Sequence, residues 1–424
     1  MSRTWLAVAC VVAAAGGVSH RGFNGTDRRP VGVLLVTLDT ARADRLSPFG
    51  FMDVRMPHLE RLAREGVLFE QAFSVAPLTL PAHTSLFTGL RPPRHAVRDN
   101  ADQPLAAAHT TLAELLQARG FRTGAFVGSV VLQSDRGLAQ GFDTYRDVQS
   151  HGAATPARQR PGNLVVDEAI EWLERTASSP FLLWAHLYDA HQPYAPPAAY
   201  RDAHADPYVG ELLFIDAQLG RLLDALDRLR LTERTIVVVV GDHGEGLGDH
   251  GEETHGMLVY DSVLRVPLIV RAPAIQSRRI ADTVSLVDVA PTVLELLGVK
   301  GRPSDGTSLV GALNGRPVDV EAYAESLYPL RTGEAAVHAL RDGRFKLIDG
   351  PRPELYDLQA DPFETHNVIG ARARIADAMR VRLGAIAGAG SRTASAGLTM
   401  PVSREVRERL AALGYVADGR RPRP

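Results

Sequence analysis

Residues 31–39 read VGVLLVTLD and residues 235–243 read TIVVVVGDH. Each is an unbroken apolar run ending on a carboxylate or an imidazole, which suits a strand buried on both faces of a sheet. Around them, helix and strand patterns alternate. MPHLERLAREG (56–66) is predicted as a helix with Pro57 near its start and Gly66 at its stop. TLAELLQARG (111–120) is a second helix, followed by strand-like RTGAFVG (122–128). NLVVDEAIEWLERTA (163–177) is a third, followed by the strand FLLWAHLY (181–188). A longer helix sets Leu212, Ile215, Leu219, Leu222, Leu223 and Leu226 on one face. VPLIVRA (266–272) and a helix around Val287–Leu297 complete the series. The alternation predicts an α/β fold, an α/β/α sandwich around a central, mostly parallel sheet.

The remainder divides by composition. Residues 1–19 read as a secretory signal peptide: Arg3, an uncharged Ala/Val-rich run, then small residues. Thr4 to His20 is 17 uncharged residues, so an uncleaved membrane anchor is the alternative. A polar linker (20–30) precedes the catalytic domain (31–320). AYAESL, VHALRDGRFKLI and PELYDL, with turns at Asp342-Gly343 and Gly350-Pro351, predict a small antiparallel-sheet subdomain over 321–384. Residues 385–424 are expected to be a flexible Ala/Gly/Ser-rich link, a terminal helix (403–415) and a basic tail.

Composition excludes several classes. The 424 residues carry 47 Lys+Arg against 49 Asp+Glu, a formal charge of −2, without the cationic surplus that binding nucleic acid requires. Cys10 is the one cysteine, so disulfides, zinc fingers and a cysteine nucleophile are ruled out of the body of the protein. A periplasmic or secreted protein without disulfides follows if the leader is removed.

In sheets of this kind ligands sit beyond the carboxyl ends of the strands. Asp39, the group His186, Asp189 and His191, and the pair Asp242-His243 all fall there. Any one of them would serve as a helix cap, but three strand ends bearing Asp or His predict a metal site, with zinc or manganese favoured. Calcium and magnesium are alternatives, and one or two ions are expected. In PLTLPAHTSLFTGLRPPRHAVRDN (77–100), Thr79 stands just ahead of Pro81 and a short helix. A threonine hydroxyl is a poor nucleophile until a base or metal holds it as the alkoxide, so Thr79 reads either as a helix cap or as a metal-held nucleophile.

LLVTLDTARADRL (34–46), the Thr79 segment, GDHGEGLGDHG (241–251), YDSVLRVPLIVRAP (260–273) and PELYDLQADPFETHN (353–367) together resemble the sulfatase branch of the alkaline phosphatase superfamily. The departures concern sulfate handling. Sulfatases carry Cys-x-Pro-x-Arg, whose cysteine becomes formylglycine, where this chain has Thr79-Leu80-Pro81-Ala82-His83. Their Lys-Trp-His element is replaced by Gly128-Ser129-Val130, and the paired aspartates of their first strand by Asp39-Thr40. Thr79, Pro81, His83, Thr88-Gly89-Leu90, His95 and Asn100 instead resemble nucleotide pyrophosphatase/phosphodiesterases. His186, His191, Asp242-His243 and His255-Gly256 resemble phosphoethanolamine transferases.

By that resemblance Asp39, Thr79, Asp242 and His243 would hold the first metal, and Thr79, His83 and Asn100 would be catalytic. His186, His191 and His255 would bind substrate. Asp189, His191, His250 and His255 are candidates for a second metal. A sulfated formylglycine hydrate can expel sulfate by collapsing to the aldehyde, a route closed to threonine, whereas water can attack a phosphorylated threonine in line. The expectation is a metal-dependent hydrolase of a phosphate- or sulfate-type ester, with phosphoesters favoured and a small-molecule, glycan or lipid substrate. The alternatives are a sulfuric ester hydrolase without formylglycine, a phosphoethanolamine-type transferase, and a catalytically silent binding protein.

Overall fold

The computed structural model describes residues 30–148, 159–318 and 320–388. The expected signal peptide, nearly all of the linker, the terminal helix and the basic tail lie outside the described residues. Eight strands form the main sheet: β1 (Gly32–Leu38), β2 (Val67–Phe73), β3 (Arg122–Val127), β4 (Thr144–Arg146), β5 (Phe181–Leu187), β6 (Thr235–Gly241), β7 (Arg265–Arg271) and β8 (Arg278–Ser285). Their order is β4-β3-β5-β1-β6-β7-β2-β8. Every pairing is parallel except those of β7, which runs antiparallel to β6 and β2.

β1 is buried along its whole length because its alternate side chains feed two cores. Val33 and Leu35 pack with Leu80, Phe87, Leu116, Val289 and Val293, the apolar faces of helices Thr79–Thr88, Leu112–Gln117 and Val289–Leu296. Leu34, Val36 and Leu38 pack with Leu59, Leu62, Val165, Leu173, Leu212 and Leu219, from helices Pro57–Glu65, Gly162–Thr176 and Pro207–Arg228. This is the three-layer sandwich read from the sequence.

A separate antiparallel sheet follows, β9 (Ala322–Ser326), β10 (Val337–Arg341), β11 (Phe345–Asp349) and β12 (Glu354–Asp357), in the order β12-β11-β10-β9. Helix Ala373–Gly388 covers one face through Ala376, Met379 and Leu383, so residues 385–388 are the end of a helix. Among the described residues no helix is long and apolar enough to cross a membrane.

Candidate active site

The sheet register sets the site. Leu38 lies between Leu187 and Gly241 of the neighbouring strands, and Thr37 beside His186. Asp39 and Asp242 therefore emerge together at one carboxyl edge. Thr40 takes a left-handed backbone (φ 54°) and turns its N–H onto Asp242 Oδ1 at 3.2 Å. A non-glycine residue in that region costs on the order of 1–3 kcal/mol, a strain tolerated here next to Asp39. After β6 the chain passes so close to Ser262 that a Cβ on Gly244 would sit 2.2 Å from its carbonyl oxygen.

Thr79 is the first residue of its helix and is fully buried. Its Oγ1 lies 3.4 Å from Asp39 Oδ2 and 3.3 Å from His243 Nε2. Asp39 Oδ2 also meets His186 Nε2 at 3.1 Å. Burial pushes the Asp39 carboxyl up to about 7, partly offset by His243. Asp242 is raised by burial and by the charge of Asp39. Asp39 Oδ1 and Asp242 Oδ2 are buried with no hydrogen-bond partner.

Two buried carboxylates with an unsatisfied oxygen each are costly unless a cation joins them. Asp39, Asp242 and His243 offer ligand atoms that all lie within 4.8 Å of one another, as do His83, His186 and Asp242. The residues fit a divalent cation, and the first trio, with the Thr79 hydroxyl beside it, is the better donor set. His83 is less suited because both its ring nitrogens are engaged. Nδ1 donates to the Thr79 carbonyl (2.8 Å), one helical turn back, and Nε2 accepts from the Thr37 hydroxyl (3.0 Å), which itself accepts from Trp184 Nε1. Burial, the largest influence, holds the ring neutral, with its pKa near 3.

Three further histidines share one arrangement. Nδ1 of His243 donates to the Gly244 carbonyl (2.9 Å), that of His191 to the Gln192 carbonyl (2.7 Å), and that of His255 to Glu245 Oε1 (2.9 Å). Each contact occupies Nδ1 and leaves Nε2 to face the site, as in histidines that bind metals. At His243 burial is outweighed by the Asp242 and Asp39 carboxylates, which raise the ring above its ordinary value. The rings form a row, His243 to His255 at 4.5 Å and His255 to His191 at 5.0 Å between centroids, and Tyr188 stacks on His191 at 4.4 Å. Burial keeps His191 near 3 and His255 well below its ordinary value. Asn100 Oδ1 accepts the Leu80 N–H at 2.8 Å, while its Nδ2 is buried without a partner.

Two residues considered for a second ion stand apart from these groups. Asp189 Oδ1 accepts the Gly162 N–H at 2.9 Å, so this carboxylate caps the start of helix Gly162–Thr176. His250 is exposed and stacks on Tyr260 at 3.7 Å. His95 is tied to Ser85 Oγ at 2.9 Å. Glu245 escaped the sequence reading. It is fully buried, orients His255 and accepts from the Tyr194 hydroxyl at 2.9 Å. Its position inside GDHGEG, two residues past His243, was the available signal.

Fold and constellation define the class: an α/β/α protein carrying a candidate metal centre beside a buried hydroxyl at a helix start. The chain belongs to the sulfatase family, since residues 32–299 match the family described as Sulfatase. Residues 248–387 match the family described as N-sulphoglucosamine sulphohydrolase, C-terminal. An ulvan-active sulfatase of Formosa agariphila is 26% identical over 395 residues, covering 80% of this chain and 77% of the relative. A choline-sulfatase of Rhizobium meliloti is 26% identical, covering 79% and 82%. The crystal structure of a phosphonate monoester hydrolase of Agrobacterium radiobacter has the same fold, with a TM-score of 0.73, 22% identity and coverage of 85% and 96%.

Proposed function

We propose that this chain is an exported, divalent-metal-dependent hydrolase of anionic esters, in which Thr79 is the nucleophile and phosphorus esters are preferred. The supporting observation is the Thr79 hydroxyl within 3.4 Å of both Asp39 and His243, beside two carboxylate oxygens that need a cation. A divalent cation held by Asp39, Asp242 and His243, zinc or manganese by ligand type, would supply the positive charge that makes an alkoxide at Thr79 accessible.

Thr79 Oγ1 forms a bond to phosphorus as the bond to the leaving-group oxygen breaks. The proton lost from the Thr79 hydroxyl is relayed to the leaving-group oxygen, which departs as the alcohol. Water then attacks the same phosphorus, breaking the Thr79 ester and restoring the hydroxyl. Asn100 Nδ2 donates to a non-bridging oxygen, and His186, His191 and His255 are assigned to the substrate side of the site, where a neutral ring receives an oxyanion only through a proton or a cation at Nε2. His83 holds the first helical turn in place through the Thr79 carbonyl.

A second reading, a sulfuric ester hydrolase acting without formylglycine, is favoured by the names of the relatives, which include an ulvan-active sulfatase and a choline-sulfatase. The two separate on a panel of aryl sulfate, phosphomonoester, phosphodiester and phosphonate ester assayed with wild type and Thr79→Ala. The favoured reading expects the phosphorus diester or phosphonate ester to be turned over faster than the sulfate. Aryl sulfate turnover equal to or above the diester would install the second reading instead. The leader lies outside the described residues, and N-terminal sequencing of the mature protein checks export.

A further inference from the structure

Three consecutive residues beside the candidate site reach three different parts of the molecule. Arg98 Nε donates to Glu325 Oε1 at 2.6 Å and its Nη2 to Oε2, a two-pronged pair with a carboxylate that is fully buried on β9. Asp99 receives a second fork from Arg331, whose Nε lies 3.0 Å from Oδ2 and whose Nη2 reaches Oδ1. Arg331 stands in the short helical turn Tyr328–Thr332 between β9 and β10. Asn100, the third, reaches back to the Leu80 N–H beside Thr79.

The main domain holds this loop through Arg136, whose Nη2 donates to the carbonyls of Asn100 (2.9 Å) and Asp102 (2.6 Å). The two forked pairs come from the C-terminal sheet, more than 220 residues further along the chain. Bidentate Arg–carboxylate pairs fix direction as well as distance. A short side chain such as Asn100 points wherever its backbone is held. The same C-terminal segment touches the site once more. Ser326 Oγ donates to the carbonyl of Gly256, which follows His255, and the Tyr328 ring packs within 4 Å of where a Gly256 Cβ would stand.

We propose that Glu325 and Arg331 are positioning residues: through Arg98 and Asp99 the C-terminal sheet aims the Asn100 amide at the substrate's non-bridging oxygen. The inference rests on the reading of Asn100 as an oxygen-binding donor given above. It assigns the small sheet a part in catalysis without contact to the reacting atoms.

The test is a double-mutant cycle with Arg331→Met, Asn100→Ala and the double variant, using whichever of bis(4-nitrophenyl) phosphate and 4-nitrophenyl sulfate the wild type hydrolyses. Metal-loaded enzyme is used throughout, and thermal unfolding is recorded beside kcat and KM. Asn100→Ala is expected to lower kcat on the order of tenfold to a hundredfold, and Arg331→Met to reproduce most of that loss in kcat rather than KM. The double variant should fall no further than Asn100→Ala alone, because both changes remove one interaction. Glu325→Gln, which keeps the side-chain shape, should follow Arg331→Met. A normal kcat in Arg331→Met and Glu325→Gln beside an impaired Asn100→Ala would overturn the positioning role alone, as would losses that multiply in the double variant. A normal kcat in Asn100→Ala would overturn the reading of Asn100 and this inference with it.

Discussion

Among the described residues, the ion cluster at Asp261 and the one at Asp39 and Asp242 are built in opposite ways. Under the C-terminal sheet, Asp261 is satisfied on both oxygens: Lys346 Nζ lies 2.7 Å from Oδ1 and Arg341 Nη1 2.7 Å from Oδ2. Lys346 also reaches Glu364 at 2.7 Å, and the Arg341 guanidinium lies 4.2 Å from the centre of the Phe73 ring. At the edge of the main sheet, Asp39 and Asp242 each keep one buried oxygen without a hydrogen-bond partner, with histidines rather than Lys or Arg beside them. Burial raises all three carboxyls, but Arg341 and Lys346 more than offset it at Asp261, whereas Asp39 stays near 7. Lys346 and Arg341 balance Asp261 and join the two sheets, whereas among the described residues Asp39 and Asp242 are paired with histidines and with no Lys or Arg.

The sharpest way to break this contrast is to neutralise one carboxylate in each cluster. Asp39→Asn or Asp242→Asn should abolish turnover, at least about a thousandfold in kcat/KM, and reduce bound metal measured by elemental analysis. The same change should raise the melting temperature of the metal-free protein, because it removes a carboxylate whose charge burial disfavours. Asp261→Asn should do the reverse. Among the described residues it leaves Arg341 without a carboxylate partner and Lys346 with Glu364 alone, and should destabilise the fold by about 3 kcal/mol in urea unfolding, with the rate per folded molecule retained. Melting shifts of the same sign at both positions would remove the distinction between the clusters.

The pH dependence should also differ in sign. Asp39 has its folded pKa raised from 3.8 to about 7, so without a cation its contribution favours folding below about pH 4 and is lost as pH rises towards 7. Asp261 is lowered, so its contribution is present above its unfolded value and is lost as acid carries the pH down through the folded one. Melting curves with chelator should therefore show Asp39→Asn diverging upward from wild type between about pH 4 and 7. Those of Asp261→Asn should converge with wild type below about pH 4. The smallest effect is assigned to Asp189, read here as a helix cap. Asp189→Ala should cost about 1 kcal/mol in stability and leave the metal content per chain unchanged. Loss of an ion in that variant would return Asp189 to the ligand set.

Residue pattern carried much of this outcome, and its failures have physical causes. β1, β5 and β6 are buried on both faces and read as continuous apolar runs. β2 does not, because Glu70-Gln71 interrupts VLFEQAF where its pairing with both neighbours shifts register. β8, the sheet's edge, reads RRIADTVS, five of its eight residues polar, and offers no continuous apolar run. The carboxyl-edge rule brought Asp39, His186 and Asp242 together correctly. It could not separate Asp189 from them, since Asp189 and His191 are two residues apart but differ in partner: one takes the Gly162 N–H, the other the Gln192 carbonyl. Arg98 and Asp99 meet residues 227 and 232 positions further on, which no local spacing encodes, whereas Glu245 lay within the GDHGEG motif.

The most direct test traps the nucleophile. Metal-loaded enzyme mixed with excess aryl phosphodiester, quenched in acid within one turnover and mapped by peptide mass spectrometry, should carry the substrate's phosphoryl moiety on Thr79. Thr79→Ala should lose both the adduct and the turnover. An unmodified Thr79 during full turnover, with Thr79→Ala hydrolysing the ester at the wild-type rate, would contradict the account.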